Sequence, residues 1–534
     1  MKTNILRDRC LVWMILLLGI AVRIIYLGSV PGGYHRDEAY AAWNALSLYL
    51  DGIDSSGHSY PVYFEAWAHG QNALNSYLMI PLIALTGGHV NPLVVRIPQV
   101  LVSILTMIAV YFLMKKMFSF RAAVWALFFV AICPWHVMMS RWGLESNLAP
   151  GFLILGLFFW ILGMERPQCF LLSALCYGLS LYSYATIWPI VPVMLLLQLV
   201  YGIVKGKIRW SKWLMCAALL LIAMGLPLVL FLLVNMEILP EMKIGCFSIY
   251  RMTQFRSAEL AHSLQQIWAN IKNVGYLLKN QDVGRPYDVI MPYGLFYDMG
   301  RILIIVGVIV VLVRLCKALR AKRFAYEWFL VVQLVGAAIV GCLINVSITQ
   351  INCLYLPLLL CQAVGAEEIC RLSGLLIKKV TDRANADTWS VRLVTIALTV
   401  VFLVNFAGFQ KDYYTDYKAL ASAHFQEGAD EAVRYAWKCA KESGFDVSVN
   451  SGLKYPNVLL ATETGAKEFL ETVTYSEYMP APDSFACDDV VFYMDIDWEM
   501  LREDMVYVIY YTDVEHFENY ELTQFLEWFV AVPK

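Results

Sequence analysis

Charge is scarce in this chain. Only 16% of its 534 residues are Asp, Glu, Lys or Arg, against 59% hydrophobic. A soluble globular protein carries about a quarter charged residues and roughly half apolar ones. The shortage excludes an ordinary soluble enzyme and points to a polytopic membrane protein. Metal-binding punctuation is missing too. No two of the 13 cysteines stand in a CxxC or Cys/His zinc spacing, which removes the common structural zinc modules. Most cysteines, such as Cys133, Cys176, Cys216, Cys342 and Cys361, lie inside apolar runs and act there as small hydrophobes. Internal repeats and low-complexity stretches are absent as well.

What charge there is falls unevenly. Residues 410–534 hold 24 acids and 9 bases, a net of -15, while the rest of the chain carries a net of +13. The split predicts two domains: a membrane part, 1–409, and an acidic α/β domain, 410–534. It does not suggest a nucleic-acid partner, because the bases sit in short loops between apolar runs. Cys439 and Cys487 stand in the tail and could pair if the tail lies outside the cell.

A helix needs about 20 apolar residues to cross the hydrocarbon of a bilayer. Eleven stretches qualify: 10–30, 93–114, 120–139, 147–164, 168–185, 187–204, 213–235, 300–315, 327–346, 349–370 and 390–409. The first has no A-x-A-like cleavage site after it and is expected to stay as a span. Lys and Arg cluster before the first span, between the second and third, and around the sixth, eighth and tenth loops. These clusters share one side of an eleven-span chain, so the N-terminus is expected inside and the tail outside a plasma membrane. Loops 31–92 and 236–299 then also lie outside. From Asp37, apolar residues recur at Ala39, Tyr40, Trp43, Leu46 and Leu50, the spacing of an amphipathic helix suited to the membrane interface. The segment 73–86 is too short to span and reads as interfacial or re-entrant. In the tail, HFQEGADEAVRYAWKCAKE reads as a helix, and DVSVN, DVVFYM and MVYVIYY as strands.

Ionisable groups gather where the outer boundary is expected. They are Asp37 and Glu38 in HRDEAYAAWNA, Glu65 and His69 in YFEAWAHGQN, Arg96 in VRIPQVL, Arg141 and Glu145 in SRWGLESN, and Arg285 in DVGRPYD. Arg23 sits inside the first span. The plain alternatives are that Asp37 and Glu38 merely favour a helix N-terminus, and that Arg23 and Arg96 snorkel to the headgroups. Acids and arginines together also suit one chemistry. A sugar carried on a polyprenyl phosphate presents its anomeric carbon at headgroup level. Its leaving group is already an anion that arginines stabilise, so one carboxylate acting as base on the acceptor hydroxyl suffices.

These motifs resemble the C-type polytopic glycosyltransferases, in the branch of protein O-mannosyltransferases and aminoarabinose transferases. The acidic pair Asp37–Glu38, YPVYFEAWAHGQNALNSYL, VRIPQVL, CPWHVMMSRWGLESNL and, loosely, DVGRPYDVIMPYG carry the likeness. The resemblance implies a catalytic group in Asp37, Glu38 and Glu145. It implies donor phosphate or glycan contacts at Arg96, Arg141, Arg285 and Glu65. Its implied partners are a polyprenyl-phosphate sugar donor and a lipid, protein or wall-polymer acceptor, with inversion at the sugar. Some relatives bind a divalent metal, for which His35, His58, His69, Glu65 and Glu145 are candidate ligands without diagnostic spacing. Relatives carry an Arg where this chain has Gln350 in TQINCLYLP. Two other classes compete: a transporter or lipid flippase, expected to show midplane polar groups and repeated halves, and a non-catalytic envelope scaffold, which the acidic pair argues against.

Overall fold

A computed structural model describes residues 2–67, 70–253, 261–282, 284–381, 385–476 and 481–534, with side chains from residue 7 onward. His69 therefore lies outside the described residues. The first part of the chain holds α1 (Lys2–Ile24), α2 (Arg36–Leu50), the ribbon β1 (Tyr63–Phe64) and β2 (Gln71–Asn72), α3 (Leu74–Leu85), α4 (Pro92–Met117), α5 (Phe120–Ile132), α6 (Pro134–Met139), α7 (Ala149–Gly163), α8 (Cys169–Ser183), α9 (Ile190–Val204) and α10 (Lys212–Asn235). A second ribbon, β3 (Met242–Ile244) with β4 (Phe247–Ile249), precedes α11 (Leu264–Asn280), α12 (Asp298–Arg320), α13 (Glu327–Leu343), α14 (Tyr355–Val380), α15 (Ala386–Tyr414) and α16 (Asp416–His424). The remainder is α17 (Ala429–Ser443), β5 (Asp446–Val449), α18 (Tyr455–Ala461), α19 (Ala466–Thr472), β6 (Ser484–Cys487), β7 (Val490–Tyr493), β8 (Met505–Tyr510), β9 (Tyr520–Phe525) and β10 (Trp528–Pro533).

Each of the eleven apolar stretches is helical. Among the described residues, six helices are long and apolar enough to cross a membrane by themselves, α4, α10, α12 and α15 among them. Local chemistry sets the boundaries. Asn91 caps α4 by accepting from the amides of Leu93 and Val94, with Pro92 at the first helical position. Ser119 caps α5 and Ser211 caps α10 in the same way, each filling donors that a helix start leaves open. The stretch 120–139 is two helices, not one. Pro134 supplies no N–H, and Cys133 turns extended between α5 and α6, as a pre-proline residue tends to. Where α12 and α14 cross, Gly307 and Gly365 let the two backbones touch: a Cβ at either would collide with the carbonyl of Cys361 or Leu303.

The basic loops lie together at one end of the bundle. Lys116 pairs with Glu165 beyond α7, Ser119 bonds Glu367 of α14, and Lys205 after α9 donates to the Lys322 carbonyl after α12. The tail forms a six-stranded mixed sheet in the order β6-β7-β5-β8-β10-β9, with β5 parallel to β7 and β8 and the other pairs antiparallel. Its core continues into α2: Trp43, Leu46 and Ala42 share one apolar cluster with Val433, Leu459 and Phe469. The helix expected at the membrane interface is therefore formed, and its apolar face is covered by the tail. Cys439 and Cys487 are both free thiols, and Cys487 accepts from the Thr462 hydroxyl at 3.3 Å.

Candidate active site

The end of the bundle opposite the basic loops is built around the start of α2. His35 is the cap: its Nδ1 accepts from the Asp37 amide at 3.3 Å, while Glu38 Oε2 accepts from the His35 amide at 3.1 Å. This reciprocal pairing fixes the first turn and sends the two neighbouring carboxylates different ways. Glu38 turns inward and is wholly buried. Arg96 of α4 meets it as a fork, Nε to Oε1 at 3.0 Å and Nη2 to Oε2 at 3.1 Å, and the Gly143 amide donates to Oε1 at 2.6 Å. Gly143 is needed there, because a Cβ would lie 2.7 Å from a Val95 methyl and 3.2 Å from that same carboxylate oxygen. With four donors on two oxygens, the carboxylate of Glu38 is saturated.

Asp37 turns outward. Its side chain is 26% exposed. The Trp67 indole donates to Oδ1 at 3.1 Å, and the Arg36 Nε lies 3.8 Å from the same oxygen. Gln71 of β2 joins this acid to the next one. Its amide nitrogen donates both to the Asp37 carbonyl at 3.1 Å and to Glu145 Oε2 at 3.3 Å. Glu145 heads the single turn Glu145–Leu148 that leads into α7. Glu65 follows β1, in the segment between α2 and α3, its carboxylate accepting from the Thr253 amide at 2.9 Å.

The arginines divide sharply. All five N–H groups of Arg96 are used: besides Glu38 they reach the carbonyls of Leu27, Pro31 and Gly33. Arg141 clamps the end of α1. It donates to the carbonyls of Val22, Arg23, Ile25, Tyr26 and Val30 and to the Tyr413 hydroxyl, placing a cation on the negative end of that helix. Arg23 is equally committed, to the carbonyls of Gly19, Val130 and Ala131, to Ser103 and to His136. Headgroup snorkelling is thus wrong for Arg23 and Arg96, which are buried in protein. The expected phosphate contacts of Arg96 and Arg141 also do not fit, since neither keeps an N–H to offer. Arg285 and Arg36 are the exposed guanidinium groups in this region.

A further carboxylate stands here that no sequence motif singles out. Asp288, in the loop before α12, is buried, and neither of its oxygens has a partner among the described residues. Burial pushes its pKa up to about 7 against the opposing charge of Arg285. Its neighbour Tyr287 packs tilted against His35 at 5.9 Å and edge-on against Trp142 at 6.0 Å, which ties this loop to the cap of α2. Burial likewise holds the His35 imidazole below its usual range. Among the described residues, other buried polar atoms here also lack partners: Gln71 Oε1, the Asn72 amide, Ser146 Oγ and Asn352 Oδ1. Asn352 donates to the Ser146 carbonyl at 2.9 Å, so they form one neighbourhood beside Glu145. Buried polar atoms are rarely left open in a folded protein; a set of them marks where a hydroxylated ligand or ordered water completes the bonding. Gln350, by contrast, is half-buried, and its backbone amide donates to the Ser347 hydroxyl at 3.2 Å within its own turn.

A divalent metal finds no cluster. Among the described residues no three His, Cys, Asp or Glu side chains come together in ligand geometry. His35 is walled in by Trp142, Tyr287 and Phe425, and His58 stacks flat on Tyr250 at 3.7 Å.

A family model described as dolichyl-phosphate-mannose-protein mannosyltransferase matches residues 73–232. No curated protein matches the chain in sequence. In structure, the chain is similar to ArnT from Cupriavidus metallidurans, solved bound to undecaprenyl phosphate, with a TM-score of 0.54 and 12% identity over 97% of each chain. It is also similar to the oligosaccharyltransferase AglB from Archaeoglobus fulgidus, solved with an inhibitory peptide and a dolichol-phosphate. There the TM-score is 0.53 at 11% identity, over 85% of this chain and 63% of that one. This chain therefore spans less than two thirds of the oligosaccharyltransferase and nearly all of ArnT. At these identities the likeness establishes the fold alone: a polytopic helical bundle with a small C-terminal domain.

Proposed function

We propose that this protein is a membrane glycosyltransferase that moves a sugar from a polyprenyl-phosphate donor to an acceptor hydroxyl at the outer face, with inversion. The observation that carries the reading is the part-exposed carboxylate of Asp37, which takes one hydrogen bond, from the Trp67 indole, with Arg36 and His35 at 3.8 and 3.5 Å, beside a buried polar neighbourhood with open hydrogen-bond positions among the described residues. The family match and the fold shared with a transferase solved on undecaprenyl phosphate support it.

In this reading Asp37 takes the proton of the acceptor hydroxyl as its oxygen bonds to the anomeric carbon. The bond from that carbon to the phosphate oxygen breaks, and the polyprenyl phosphate leaves as an anion without needing a proton. Arg285, exposed and near Asp288, is the guanidinium available to that anion. Glu145, Asn72 and Asn352 bond sugar hydroxyls. Glu38, Arg96 and Arg141 serve as scaffold, holding Asp37 and the loop in place. Residues 1–409 hold the donor, and the tail faces the acceptor.

The test compares envelope glycans, by mass spectrometry, in cells lacking the protein and complemented with the native chain or with Asp37→Asn. Transfer should fall by roughly 10²–10⁴-fold with the variant present at native amounts. Near-normal glycans with the variant would remove Asp37 from the chemistry. Protease added to sealed vesicles of known orientation should cut the tail only from the outer side.

A further inference from the structure

A second cavity lies at the end of the bundle remote from Asp37. It is a trough of about 630 Å³ between α1, α5, α14 and α15. Its walls are apolar, with Leu11, Leu18, Trp125, Phe128, Ile396 and Leu403 among the lining side chains, and three arginines stand at one end: Arg7, Arg121 and Arg392. All three are exposed, and among the described residues none takes part in an ion pair. The one carboxylate in the lining, Glu367, is held by the Ser119 hydroxyl at 2.6 Å.

The dimensions bear on what fits. Arg7 to Leu18 along α1, and Arg392 to Leu403 along α15, are each eleven residues, or roughly 16 Å of helix. That is about half of the ~30 Å hydrocarbon thickness of a bilayer. The trough is therefore one leaflet deep, apolar along its length, and cationic only at the end where the basic loops gather. Three guanidinium groups with no carboxylate partner among the described residues, Arg392 lying over the Trp389 ring at 5.6 Å, call for an anion at a lipid boundary, and the trough behind them calls for a chain of methylenes attached to it.

We propose that this trough is a binding site for an anionic glycerophospholipid of the leaflet on the basic-loop side, with its phosphate held by Arg7, Arg121 and Arg392. The site is separate from the donor site, which lies at the other end of α1. Its occupant bridges α1, α5 and α15 and so braces helices whose far ends are held by Arg141, for α1 and α15, and by Arg23, for α5.

Native mass spectrometry of the full chain, released from micelles titrated with phosphatidylglycerol or phosphatidylcholine, tests it. One phosphatidylglycerol should be retained in preference to phosphatidylcholine. The triple variant Arg7→Gln/Arg121→Gln/Arg392→Gln should weaken that retention about a hundredfold, from the typical attraction of three basic residues for an anionic headgroup. Leu11→Trp, which narrows the trough and keeps the arginines, should weaken it too, with the melting temperature checking that the variant is folded. Equal retention of both lipids, or unchanged retention by the folded triple variant, would overturn the site. Glycerol phosphate without acyl chains competing as well as the whole lipid would overturn the role of the trough, and displacement by undecaprenyl phosphate at equal concentration would overturn the choice of occupant.

Discussion

Asp37 and Glu38 are neighbours in sequence with opposite surroundings, and substitution should separate them. Asp37→Asn is expected to abolish transfer while leaving the melting temperature within a degree or two of native, since an amide oxygen can still accept from the Trp67 indole. Glu38→Gln leaves the Arg96 cation buried without its counter-charge, a change that typically costs about 3–5 kcal/mol. It should lower the melting temperature in detergent and the folded yield together. A Glu38→Gln protein of native stability but no activity would reverse the roles. The pair was legible in the sequence; the difference in surroundings was not, because it comes from an arginine 58 positions away. Asp288 offers a second residue-scale prediction. Its folded pKa of about 7 lies above the ~3.9 of an unfolded aspartate. It therefore favours the folded state at low pH, and that contribution is lost as pH rises from about 4 through about 7. Asp54, also raised to about 7, has the same sign, whereas the lowered His35 loses stability as pH falls. Asp288→Asn isolates one contribution: relative to native protein, the variant should gain melting temperature at pH 8 and gain nothing at pH 4. An unchanged difference between the two pH values would place the carboxylate in contact with a cation or donor.

At the scale of elements, what periodicity can see was seen. The eleven apolar runs are helices, and α17, β5, β7 and β8 fall where the pattern put them. The failures have physical causes. A hydropathy window cannot register that Pro134 splits 120–139, because the break removes one N–H without changing apolarity. Strand β9, YELTQF, is an edge strand paired on one side only, so Glu521, Leu522 and Gln524 are all exposed and erase the alternation that betrays a half-buried strand. Helix α2 shows the opposite problem. Its apolar stripe was correct, but period alone cannot tell a lipid interface from a protein one. Trp43 decides it: the side chain is wholly buried, its indole donates to the Thr464 carbonyl at 2.8 Å, and its ring meets Phe469 at 5.1 Å. Trp43→Ala should cost about 3–5 kcal/mol and loosen the helix that carries Asp37. Activity should fall with stability, and partial recovery in Trp43→Phe would separate packing from the indole hydrogen bond.

For the whole molecule, the consequence is that the tail does not behave as a detachable acceptor-binding module. Its charge of -15 predicts a domain that stands off the membrane or docks on the loops, and on either basis removal of 410–534 would spare donor binding. The structure shows docking: the tail packs on α2, the helix of loop 31–92 that carries Asp37. Residues before the sheet are part of the bundle: Tyr413 accepts from Arg141, and Phe425 packs beside His35 and under the Arg96 guanidinium. Beyond them, α18 and α19 cover α2, and Asp51 at the end of α2 accepts from the Lys467 amide at 3.0 Å. Truncation at 410 strips Tyr413 and Phe425 from the arginine clamps, and even truncation at 428 bares the apolar face of α2. Both truncated chains should therefore lose donor binding as well as transfer, the longer deletion more completely, and loop 31–92 should become sensitive to protease in each. A chain ending at 428 that still binds undecaprenyl-phosphate-linked sugar with native affinity, and resists protease in that loop, would return the tail to the role of a separate acceptor domain.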